Sequence, residues 1–232
     1  MQMSKEDEGK TFYIFPHTHG KRLELERKLK SERRITMRIT VNVDKGDERY
    51  SEMMGYVNQA TDNNLVIVAR GDKNKKDDCI KPISTRNGIY FYIANVVDGA
   101  LVFRGEYTAE DIEKAKENTV RRARFGGMMS ILFGSGVELR DFKLDGPMNV
   151  ITSEDKANGA GILYCAEFMA KVKEKLGDGY ILPSSVHELI FVPANFSDDI
   201  ESLRQMVTEI NAGVVEEQDF LADDAWRISS WM

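Results

Sequence analysis

Tyr180-Ile181-Leu182-Pro183-Ser184-Ser185-Val186-His187-Glu188-Leu189-Ile190-Phe191-Val192-Pro193 carries two short apolar runs on either side of a Pro-Ser-Ser turn. Runs of this length and composition, bounded by turn residues, predict buried strands over 180–182 and 186–192. Upstream, Asn149 to Thr152 reads as a strand. Gly161 to Leu176 reads as a helix with Ile162, Ala166, Met169, Val172 and Leu176 on its core face, closed by Gly177. Downstream, Ser197 is expected to cap a helix with Asp198 and Asp199 in its first turn, where acidic groups suit the helix dipole. That helix turns Ile200, Leu203, Met206, Val207 and Ile210 inward and stops at Asn211-Ala212-Gly213. The last residues, 224–232, either add an edge strand or lay Trp226 and Trp231 on the surface. The order is β-α-β-β-α, which predicts an α+β fold: a mainly antiparallel sheet with helices packed on one face.

The rest of the chain continues the α+β pattern. Residues 1–10 are polar and are expected to form a flexible tail. Thr11 to Phe15 suits a strand, Lys21 to Arg34 a solvated helix, and Ile35 to Val43 alternates with period two, the mark of a half-buried strand. A helix is expected over 48–60 and a buried strand over 65–69. A charged loop covers 71–78, followed by strands at 88–94 and 100–104 joined across Asp98-Gly99. Thr108 and Asp111 have the spacing of a capping box. The helix behind them should end or bend at Gly126-Gly127. Glycines and Pro147 between 134 and 147 mark a boundary between an N-terminal region, 11–140, and a C-terminal domain, 147–232.

Composition bounds the function. The 232 residues are 42% hydrophobic and 30% charged, with a net charge of −6. These values describe a globular chain that can bury a core, and they argue against a dedicated nucleic-acid binder, whose domain is usually basic. Two cysteines far apart, Cys79 and Cys165, imply no disulfide framework and point to the cytoplasm. The charged N-terminus does not resemble a secretory signal, and no apolar run is long enough to span a membrane.

Four groups of residues carry the chemistry worth testing. Ser185, His187 and Glu188, with Ser184 beside them, have the residue types of a nucleophile, a base and an orienting carboxylate. On a strand, however, His187 and Glu188 point to opposite faces, and no Gly-x-Ser-x-Gly elbow accompanies them. The competing reading is a Ser-rich turn with a structural histidine. His17 and His19 are spaced to share one face of an extended segment, a weak metal pair that lacks further ligands nearby. Gly126-Gly127 and Gly134-Ser135-Gly136 read as helix punctuation rather than a phosphate cradle, since no Gly-Lys-Ser/Thr follows. Two basic clusters, Lys21, Arg22, Arg27, Lys28, Arg33 and Arg34, and then Arg121, Arg122 and Arg124, are phosphate or acidic-surface candidates.

The segment from about 149 to 229 resembles an uncharacterised family of clostridial-type bacteria, known only as a domain of unknown function. Its carriers are Asn149-Val150-Ile151-Thr152, Gly159-Ala160-Gly161-Ile162-Leu163-Tyr164, Leu182-Pro183-Ser184-Ser185-Val186-His187-Glu188, and the runs 203–211 and 220–224. The resemblance implies a fold unit and a bacterial, mobile-element or phage setting, with no catalytic assignment. The expected function is therefore a non-enzymatic cytoplasmic interaction protein. Its partner is expected to be a protein, with no cofactor, no membrane and the oligomeric state open. The alternatives are a small hydrolase using Ser185 and His187, and a nucleic-acid-binding regulator using the basic clusters.

Overall fold

The computed structural model describes residues 10–16, 39–43, 63–71, 80–97, 100–104, 107–134, 136–197, 199–213, 215–217 and 219–232. The chain divides into two compact units, one of Met1–Leu65, Asp77–Lys81 and Ile93–Lys114, the other of Val66–Lys76, Pro82–Tyr92 and Ala115–Met232. The helices expected over 21–34 and 48–60 and residues 1–9 of the expected tail lie outside the described residues, while Lys10 already belongs to a strand.

In the first unit, strand β1 (Lys10–Pro16) runs antiparallel to β2 (Ile39–Val43) on one side and to β6 (Ala100–Arg104) on the other. β6 in turn pairs with the end of β5 (Ile89–Val97), Asn95 opposite Val102. The expected capping box is present. The Thr108 amide donates to Asp111 Oδ2 at 2.9 Å and the Asp111 amide donates to Thr108 Oγ1 at 3.2 Å. Those two bonds satisfy amides that the first turn of a helix leaves orphaned, and helix α1 (Ala109–Arg122) starts there.

The second unit holds β3 (Asn64–Arg70) from Val66 onward, β4 (Ser84–Arg86) and the start of β5, with Ser84 opposite Phe91. Thr119 of α1 takes the Val66 amide at 2.9 Å and passes its own proton to the Ala115 carbonyl at 2.7 Å. Its larger part is a five-stranded antiparallel sheet in the order β11-β9-β10-β8-β7: β7 (Ala123–Gly127), β8 (Asn149–Ser153), β9 (Gly179–Leu182), β10 (Glu188–Pro193) and β11 (Trp226–Arg227). Register sorts the side chains onto two faces, because alternate residues of a strand point oppositely. Tyr180, Leu182, Ile190 and Val192 pack with Leu203 and Val207 of α4 (Ile200–Gly213). Phe125 lies opposite Ile151 and Ile151 opposite Leu189, on the other face. There the Phe125 ring meets Phe168 of α3 (Ala166–Leu176) at 6.0 Å. The α+β class holds with a helix on each face of this sheet, where the sequence predicts helices on one.

Four local expectations change. The helix expected from Gly161 is a 3-10 segment, Gly159–Tyr164, that breaks at Cys165 (ψ 74°) before α3 begins. At the next helix, Asp199 supplies the cap in place of Ser197. Its Oδ1 accepts the Glu201 amide at 3.0 Å and its other oxygen accepts the Ser202 hydroxyl. Gly126 and Gly127 are not helix terminators but residues of β7, and a Cβ on Gly126 would stand 2.4 Å from Ser130 Oγ in the short helix that follows. Of the two alternatives for the last residues, the edge strand is the one found, as β11 beside β9, and Trp231, which the other alternative lays on the surface, is wholly buried. A 3-10 turn, Ile228–Trp231, folds it back so that its ring meets Trp226 at 5.3 Å and Phe91 at 6.4 Å.

Candidate functional site

The Pro-Ser-Ser turn is a junction with neighbours bound on both sides. The Val186 amide donates to the Asp219 carbonyl at 2.8 Å, and the Leu221 amide donates to the Ser184 carbonyl at 3.0 Å. From the opposite side, the Gly159 amide and the Thr152 hydroxyl both donate to the His187 carbonyl at 2.9 Å. Buried backbone groups must find partners, and here two distant segments supply them. Ser184 and Ser185 are buried with the turn.

The three sequence candidates lie side by side in this junction. Ser185 Oγ accepts the His187 backbone amide at 3.0 Å, a local Ser turn. The His187 ring is held at both nitrogens: Nδ1 accepts the Asn158 amide at 3.3 Å and Nε2 stands 3.3 Å from Asp219 Oδ1. Acceptance at Nδ1 places the ring proton on Nε2, facing that carboxylate. A general base needs a ring nitrogen directed at the proton it will abstract; in this arrangement both are directed at the fold. Glu188 sits beside them, half-buried. Burial pushes its carboxyl above the usual range, His187 opposes that shift and Asp219 adds to it. Asp219, far along the chain, is the residue that sequence reading missed. Only the backbone pairing around Phe220 brings it to His187.

The second basic cluster is largely neutralised. Arg122 Nε and Nη2 reach Glu154 Oε1 at 3.0 Å and Asp155 Oδ2 at 2.6 Å, and Arg124 Nη2 reaches Glu154 Oε2 at 3.1 Å. Arg121 donates to Asn118 at 3.1 Å. The two acids on the β8 turn hold the guanidinium forks that a phosphate would need. The first basic cluster, with Lys21, Arg22, Arg27, Lys28, Arg33 and Arg34, lies outside the described residues, as do His17 and His19. Among the described residues no three His, Cys, Asp or Glu side chains are grouped to hold a metal.

A different feature stands out at the end of β7. Helix α2 (Met128–Phe133) is less than two turns long, and only Ile131 is buried in it. Met129 is 63% exposed, Leu132 62% and Phe133 83%. Of the eight large apolar side chains exposed among the described residues, six fall between Met128 and Leu144, four of them on this one helix. At 100° per residue, Met129 and Phe133 form a crest opposite Ile131 while Ser130 faces sideways. On that side lies a shallow cleft of about 410 Å³ bounded by Ser130, Gly136, Phe125, Phe142, Lys143 and Asp145. The sequence signal was the run Met-Met-Ser-Ile-Leu-Phe, too short for its periodicity to say which side chains are buried.

Residues 100–229, more than half of the chain, match the model of a family of unknown function, DUF5688. The match begins well before Asn149, taking in β6, α1 and β7 as well as the C-terminal sheet. No curated protein and no solved structure matches the chain.

Proposed function

The chain belongs to the DUF5688 family, whose function is unknown, and on its geometry we propose that it acts by binding a protein partner, with α2 as the contact face. The observation that carries this reading is the Met129, Leu132 and Phe133 crest, three large apolar side chains exposed together on one short helix. The His187 junction supports it from the other side: both ring nitrogens serve the fold. So do Glu154 and Asp155, which occupy Arg122 and Arg124. The setting we assign is the bacterial cytoplasm, in a mobile-element or phage context. It rests on the resemblance, on Cys165, which is buried and makes no disulfide, and on the described helices, none of which is long and apolar enough to cross a membrane.

The test is a pull-down from host lysate, at low and high salt and with nuclease, using the wild type and Phe133→Glu. A protein captured by the wild type, resistant to nuclease and lost with Phe133→Glu, is the expected result. Nucleic acid recovered alone and lost at high salt would favour the regulator instead.

A further inference from the structure

We infer that the partner of the α2 face is a second copy of this chain, joined by a two-fold contact in which the crest of each copy enters the cleft of the other. The inference rests on the protein-binding reading above and names its occupant. An isologous contact requires one surface to carry both halves of the fit, so that residue i meets j and j meets i. This surface does. The knob is Met129 and Phe133; the hole lies one helix flank away, beside Ser130. The floor of the hole is aromatic: Phe125 and Phe142 are buried, with ring centroids 5.6 Å apart. These rings lie beneath the surface, so the cleft presents an apolar base without offering the rings themselves as contacts. The cleft itself is shallow, about 410 Å³, and open to solvent beside the crest.

Charge follows the same logic. The cleft is bounded by an exposed cation, Lys143, and an exposed anion, Asp145, two positions apart. Such a rim repels neither a basic nor an acidic partner strongly, yet it complements a copy of itself turned through 180°, with Lys143 of one copy facing Asp145 of the other. The six residues of α2 carry no charge, as the centre of an interface requires while its rim stays polar. A membrane surface fits less well, since interfacial segments favour basic residues around the apolar face.

The experiment is sedimentation velocity of the full chain over a wide concentration range, with Phe133→Glu, Lys143→Asp, Asp145→Lys and the double charge variant. The wild type is expected to show a concentration-dependent monomer–dimer equilibrium. Phe133→Glu, at a side chain 83% exposed, leaves the fold intact by circular dichroism and raises the dissociation constant roughly 30-fold or more, as loss of an interface anchor does. Each single charge change weakens the dimer twice over by symmetry, and the double variant restores it. A wild type that stays monomeric throughout overturns the inference, as does a dimer indifferent to Phe133→Glu or a double variant no tighter than the singles. A monomer whose pull-down partner is still lost with Phe133→Glu ends this inference and leaves the protein-binding reading standing. A monomer whose captured partner is retained ends both.

Discussion

His187 Nε2 stands 3.3 Å from Asp219 Oδ1, while the same histidine takes the Asn158 amide at Nδ1 and the Gly159 amide at its carbonyl. One residue thus ties together the turn after β8, the start of β10 and the segment leading into Phe220. His187→Ala leaves the Asn158 amide and the Asp219 carboxylate without their partner. Each such loss in a half-buried site costs about 1–3 kcal/mol, so the melting temperature is expected to fall by several degrees. Ser185→Ala, which removes only a local turn bond, should fall less. A His187→Ala protein as stable as the wild type would mean that the ring is not a fastening.

Glu188 gives this region a pH dependence of definite sign. Its carboxyl is raised above its ordinary value of 4.5, first by burial. A raised carboxyl holds its proton better in the folded state than in the unfolded one. Its contribution to stability is therefore full below the ordinary value and is lost as pH rises through the folded one. Glu188→Gln, which cannot ionise, escapes that loss. Denaturant titrations of both proteins from pH 4 to pH 8 should show the variant gaining on the wild type as pH rises and then levelling off. A difference that is flat, or that shrinks with pH, would contradict the burial of this group.

The sequence disclosed strands more readily than sites. Strands β8, β9 and β10 were legible because each is a bounded apolar run, and the Thr108–Asp111 box because its geometry is local. The break at Cys165 was not, since Ile162, Ala166 and Met169 continue a helical stripe across it and only backbone torsion distinguishes the two segments. The edge strand at 226–227 was legible as one of two alternatives, but the burial of Trp231 was not, because its ring partners Trp226 and Phe91 meet it only through the 3-10 turn and the tertiary fold. His187 was visible, but its role depends on Asp219, and that pairing is tertiary. Arg122 and Arg124 read as a basic cluster because Glu154 and Asp155, which pair with them, come from the turn after β8.

The ion cluster is expected to be modest in energy and clear in consequence. Arg122 and Arg124 share Glu154 at a half-exposed site, where such pairs are worth up to about 1 kcal/mol and are screened by salt. Glu154→Ala should lower stability slightly at low salt and not at high salt. It should also free the guanidinium groups, so that the variant is retained more strongly than the wild type on a heparin column. Equal retention of the two proteins would show that Glu154 does not mask these cations.

Two glycines are expected to respond to the same substitution with opposite signs. Gly161 lies in the 3-10 segment after β8, pressed against β3: a Cβ there would sit 1.9 Å from the Val66 carbonyl oxygen and 2.7 Å from its carbon. Both are backbone atoms, and Val66 is fixed in its turn by the bond to Thr119, so neither side can give way cheaply. Forcing atoms into a packed site costs about 1–3 kcal/mol, and Gly161→Ala should lower the denaturant midpoint accordingly. Gly213, the last residue of α4, has open space around its missing Cβ. Alanine restricts the unfolded chain and favours helix, a gain of about 0.4–1 kcal/mol where the conformation is compatible. Gly213→Ala is therefore expected to raise the midpoint slightly. If Gly161→Ala were tolerated as well as Gly213→Ala, the close seating of the 3-10 segment on β3 would be wrong, and with it the placement of the residues that lead into the His187 junction.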